Sequence, residues 1–179
     1  MTTKHPQRSR VLAGGALLVA TLLASACTSS AQHTESMAQD VTMTNQWASA
    51  ADSGMTAVFG TFTNEGHHDA RIVGGESAVA GHVEVHEVVP DAAGSKTMRP
   101  KDGGLTVPAS QAHDLVPGGD HLMLMDLKQP LRPGDDIAVT VLFDDGSKLP
   151  VTAQVRDFAG ANEEYTPAEG GAEASHDHG

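Results

Sequence analysis

The chain has 179 residues, 39% of them apolar and only 3% aromatic, with a single cysteine and a formal net charge of −12. That charge argues against nucleic acid as a partner, since phosphate contacts need clustered Lys and Arg. The lone Cys27 excludes an internal disulfide framework, so any folded domain rests on its own apolar core.

The first 26 residues read as a secretory signal. Lys4, Arg8 and Arg10 make a basic start, residues 11–23 an apolar run, and Ala24-Ser25-Ala26 a small-residue processing site. Thirteen apolar residues are too few for a bilayer, which takes about 20. Residues 23–27, Leu-Ala-Ser-Ala-Cys, resemble a bacterial lipobox, which implies that Cys27 becomes the lipidated first residue of the mature chain. Two acyl chains on that residue would give stable anchoring to the cell membrane. Simple secretion, with cleavage near Ala26, is the alternative. Removing the leader takes away three cations and no acid, which deepens the net charge from −12 to −15. With Cys27, the polar residues 28–40 are predicted to form a flexible tether spanning on the order of 20 Å.

A single β domain is predicted for residues 41–158. Strands are expected at 41–44, 56–62, 83–89, 121–127, 137–143 and 150–155, all short and rich in Val, Thr and Phe. Asn64-Glu65-Gly66, Arg132-Pro133-Gly134-Asp135 and Asp144-Asp145-Gly146-Ser147 supply the turns between them. Regular spacing without a long 3.6-residue period predicts an all-β protein, an antiparallel sandwich or barrel. From residue 159 the composition shifts to Ala, Gly and Glu, and residues 159–179 are expected to be a disordered acidic tail. Its His176-Asp177-His178 is an accessory donor pair suited to weak capture of Cu(II), Ni(II) or Zn(II).

The strand alternation places the candidate ligands. If Val83 and Val85 face the core, then His82, Glu84 and His86 face away from it. Leu122 and Leu124 likewise send His121 and Met123 outward, roughly 6.5 to 7 Å apart along the backbone. Methionine on the outer face of a strand has no packing role to explain it. With Met98 the set becomes two imidazoles and two thioethers. Thioether selects Cu(I), whereas zinc and the hard cations want other donors. Met125 shares the parity of Met123 and is either a spare ligand or packing at the site's edge. An outward site is expected to be exposed, where an incoming ligand could attack the ion.

From Trp47 to about Arg156 the sequence resembles the periplasmic copper chaperone family called PCu(A)C. The likeness runs through Val85-His86-Glu87, Met98-Arg99-Pro100, Asp102-Gly103-Gly104, Val107-Pro108-Ala109, Pro117-Gly118-Gly119, His121-Leu122-Met123-Leu124-Met125 and Leu127-Lys128-Gln129-Pro130-Leu131. His86 precedes Met98 by 12 positions and Met98 precedes His121 by 23, matching the family's His, Met and His-x-Met pattern. The resemblance implies a cupredoxin-like fold. It also implies Cu(I) bound by His86, Met98, His121 and Met123, and delivery to a membrane acceptor such as cytochrome c oxidase or its assembly factors.

Other readings are narrowed by what the chain lacks. A blue-copper carrier needs a Cys thiolate, and the predicted domain contains none. No Gly-x-Ser-x-Gly elbow, phosphate loop or His-Glu-x-x-His helix is present, and the chain is not expected to be an enzyme. A copper store or detoxification protein of the envelope, using the same site plus the tail histidines, is the competing expectation.

Overall fold

Period-two alternation dominates the strands. In β9 (Asp136–Phe143), Ile137, Val139, Val141 and Phe143 are buried while the residues between them are exposed or half-buried. In the computed structural model, residues 36–90 and 94–158 are described, together with the backbone of Glu164–Tyr165. The remaining strands are β1 (Val41–Ser49), β2 (Thr56–Asn64), β3 (Ala70–Glu76), β4 (His82–Pro90), β5 (Lys96–Pro100), β6 (Leu105–Val107), β7 (Ala112–Leu115), β8 (His121–Met125), β10 (Lys148–Arg156) and β11 (Glu164–Tyr165).

Seven of them close on themselves in the order β4-β8-β2-β1-β10-β9-β3, with β3 returning to β4 through Gly75 opposite Val83. The result is a cupredoxin-like β-barrel. β5 extends the sheet beyond β4, β6 pairs with β3, and β7 pairs with β2. One seam departs from the antiparallel expectation: β1 and β10 run parallel. They lie at opposite ends of the domain sequence, so no hairpin constrains their relative direction. Two-residue β11, inside the expected tail, also pairs in parallel, along Thr97 and Met98 of β5. Met37–Asp40, placed by composition in the tether, form one helical turn, α1, whose first amides donate to Asp145 Oδ2 (2.8 Å) and Ser147 Oγ (3.0 Å).

The barrel core holds Val58, Phe62, Ile72, Val83, Val85, Leu105, Leu115, Leu122, Leu124, Val139 and Val141, each 5% exposed or less. Burial of each such side chain stabilises by about 1.5–3 kcal/mol before chain entropy is subtracted. Gly104 is fixed by this arrangement. Its φ of +76° lies in the left-handed region, and a Cβ there would fall on the Ile72 carbonyl oxygen. Gly103, with a similar φ of +74°, faces open space. Gly104→Ala is therefore expected to cost well over the ~1–2 kcal/mol of an unhindered left-handed alanine, which Gly103→Ala should show alone. Urea unfolding of the two variants checks this, and equal midpoints would refute the clash.

Candidate metal centre

Strand register lines the candidate residues up in rows on the barrel's outer face. Trp47 of β1 stands opposite Phe59 of β2, His121 of β8 opposite His86 of β4, and His86 opposite Pro100 of β5. The Phe59 and His121 rings, 6.0 Å apart, join the two halves of this row. In the next row Met123 lies between Ala57 of β2 and Glu84 of β4. Met98 of β5 stands opposite Val88, which shares the parity of His86.

His86, His121 and Met123 thus face away from the barrel core as their parity requires, yet they are not exposed. His86, Met123 and His121 are 0%, 3% and 4% exposed, although none belongs to the barrel core cluster. A second layer lies against His121, whose ring centre is 6.0 Å from that of Phe59. Trp47, Phe59 and Phe158 form an aromatic group with ring centroids 4.7 to 6.2 Å apart, and the Arg156 guanidinium lies 5.9 Å from the Trp47 ring centre.

Beside this layer is a cavity of about 330 Å³ whose walls include Met98, His121 and Met123. His86 sits behind His121, ring centroids 5.7 Å apart, and is not part of the cavity wall. Met125 is buried opposite His82, away from the cavity lining. Cys27, His176 and His178 fall outside the described residues. The cavity also meets Met55, a thioether the sequence reading did not single out. Its signal was parity: Met55, Ala57 and Phe59 step by two and all line the cavity. Among the described residues, no group of three His, Cys, Asp or Glu side chains could hold a metal ion, whereas the cavity wall does carry methionine sulfur beside His121.

Both imidazoles are held by a second partner. His121 Nδ1 lies 3.0 Å from the Gly119 carbonyl oxygen, so Nδ1–H donates there and Nε2 carries the lone pair. His86 Nε2 lies 2.7 Å from Glu84 Oε2, the carboxylate–imidazole arrangement that orients metal-ligating histidines. Glu84 also meets His82 at 3.3 Å, and His82 meets Asp126 at 3.5 Å. An ion network braces the segments beside the candidate ligands. Lys101 Nζ is 3.0 Å from both Glu87 Oε2 and Asp120 Oδ1, Arg99 also reaches Glu87, and His113 reaches Asp120 at 2.9 Å. The Lys101 hydrogen bond, helped by Arg99, holds Glu87 below its ordinary pKa against the opposing effect of burial. Burial alone would lower Lys101, but the Glu87 and Asp120 carboxylates outweigh it and raise that ammonium's pKa.

Burial lowers the pKa of His121, reinforced by the neighbouring His86, while the Gly119 hydrogen bond and Asp120 oppose the shift. The unfolded chain thus takes up this proton at a higher pH than the folded one. Stability from this group is lost as pH falls below about 6.5, and the loss levels off once folded His121 itself protonates. In the metal-free protein, the His121 ring should titrate by NMR below that reference. His121→Phe should flatten the matching slope of urea stability against pH. A midpoint above 6.5 would overturn the assignment.

The fold defines the class: a PCuAC-type, cupredoxin-like β-barrel. Within it, the chain belongs to the family described as "Putative lipoprotein LpqE-like", whose family model matches residues 41–155. It is 45% identical over 136 residues to "Putative lipoprotein Lxx21020" of Leifsonia xyli subsp. xyli, covering 76% of this chain and 81% of that protein. Among solved structures it is similar to the copper-bound PCuAC domain from PmoF2, with a TM-score of 0.55, 19% identity, and coverage of 66% of this chain and 94% of that domain. The apo PCuAC domain from PmoF1 gives a TM-score of 0.54 at 18% identity, covering 66% and 95%. These structural likenesses establish the shared fold.

Proposed function

We propose that this protein is an extracytoplasmic Cu(I) chaperone, anchored to the cell membrane through lipidated Cys27, that passes copper to a membrane acceptor, cytochrome c oxidase or its assembly machinery. One observation carries the reading: two thioethers and an imidazole, Met98, Met123 and His121, meet at one cavity, with a second imidazole, His86, against His121. Soft sulfur with borderline nitrogen is the donor chemistry that favours Cu(I) over the hard divalent ions. The copper bound by the PmoF2 domain of the same fold and the lipoprotein description of the family support the assignment.

Each group has a definite part. Met98 and Met123 supply sulfur without a proton to lose, so their affinity does not compete with acid. His121 offers Nε2 because Gly119 holds its other nitrogen. His86, fixed by Glu84, completes the set as His121's cross-strand partner. Phe59 of the aromatic group lies against His121, and the charge of −15 on the mature chain attracts cations. Titrating the intact protein with Cu(I) under reducing conditions, against a competing chelator, should give one tightly held ion per chain. Failure to compete, or tighter retention of Zn(II) than of Cu(I), would defeat the proposal.

A further inference from the structure

Four described methionines lie off the barrel core, and the four-residue donor set of the proposed function uses only Met98 and Met123. Met43 is a core residue and Met37 packs against the core, whereas Met55, Met98, Met123 and Met125 do neither. Of these four, Met125 pairs with His82 and does not line the cavity, while Met55 does. Core packing thus leaves Met55 unexplained.

The chain around Met55 holds it firmly. Just before it, Gly54 adopts φ +77° and its carbonyl accepts from Leu127 N at 2.8 Å. Just after it, Thr56 Oγ1 donates to the Ser49 carbonyl at 2.7 Å. The backbone is thus pinned on both sides of a long, flexible thioether. Across the register, Met123 faces Ala57, and both line the cavity with Met55. Burial grades the donors: His86, Met123 and His121 are buried, whereas Met55 and Met98 are half-buried.

Resting on the copper reading above, we propose that Met55 is an additional Cu(I) donor of this chain, on the solvent side of the cavity. It joins Met98 and Met123 in a three-thioether set. Exchange of Met55 for another ligand forms one Cu–S bond as one copper–ligand bond breaks. The metal stays Cu(I), and no proton moves because thioether has none to release. A third sulfur also biases the cavity further towards soft monovalent ions.

The test uses the intact protein labelled with ¹³C at the methionine methyl groups, titrated with Cu(I) under reducing conditions and, separately, with Ag(I). The Met55, Met98 and Met123 methyl resonances should move together up to one equivalent, while Met43 in the core stays fixed. Met55→Leu, close in volume, should keep the fold and weaken Cu(I) binding by roughly tenfold, the lower end of what metal sites lose with a supporting group. A stationary Met55 methyl beside shifting Met98 and Met123 would overturn this inference while leaving the copper reading intact. If none of the three moves, the copper reading falls and this inference with it.

Discussion

The double substitution Met98→Leu, Met123→Leu should all but abolish Cu(I) binding while leaving the barrel folded. Leucine nearly conserves methionine's volume, and such swaps usually cost less than about 1.5 kcal/mol each. Neither residue belongs to the core cluster, so their packing losses should be modest. The donor loss is of another order. Removing a mere supporting partner typically weakens metal binding by about 10–100-fold, and two sulfur ligands should exceed that range. The remaining donors would be two imidazoles, one of them off the cavity wall, and the half-buried Met55. Met43→Leu is the control: it alters a core methionine, so it should shift stability slightly and leave copper alone. The measurement is competitive Cu(I) titration alongside urea unfolding. Retention of parental affinity by the double variant would remove these methionines from the site.

Much of this arrangement was legible from alternation alone. Residues 83–89 and 121–127 announced strands, and Val83, Val85, Leu122 and Leu124 proved to be core residues, so His86, His121 and Met123 fell on the other face. Burial of that face was not legible. A strand pattern tells which side meets the core, but not whether another layer covers the reverse. Here Trp47 and Phe158, far apart in sequence, are brought together only by the fold, beside the Phe59 ring that meets His121. The unforeseen strands have local reasons as well. β3 contains Gly74-Gly75, residues depleted in strands, and these allow the close approach to Val83 that closes the barrel. β5, Lys-Thr-Met-Arg-Pro, carries two charges and a proline, which suit an outer strand and not a core run. Short β6 and β7 lack enough residues to display a period. Met55 escaped notice because it precedes its strand by one position, although its parity with Ala57 and Phe59 was readable. Glu84 sat two residues from His86 on the same face, and only the structure shows the 2.7 Å contact.

Deletion of this protein should cost a cell the greater part of its cytochrome c oxidase activity when copper is scarce, with recovery when copper is supplied. Mass action sets this dependence on copper. A carrier matters only while free copper is too dilute to load the acceptor by itself, so abundant copper replaces it. Burial of the donors strengthens the case for directed transfer. With His86, His121 and Met123 at 4% exposure or less, copper held by them as proposed would leave by ligand exchange through the cavity. On the proposed function, the acceptor would dock at the mouth of that cavity. Anchoring both proteins to one membrane favours such encounters, because tethering raises local concentration, towards the order of mM for short flexible links. Complementation separates the contributions. A His86→Ala, Met123→Leu protein should fail because it cannot hold the ion. Cys27→Ala should leave the membrane fraction, or accumulate unprocessed, and complement poorly at low copper, having lost proximity but not the site. A chain ending after Phe158 should complement at least partly, since it retains every proposed donor and the aromatic group beside His121. Normal oxidase activity in the copper-starved deletion strain, together with heightened sensitivity to excess copper, would instead make the protein a copper store.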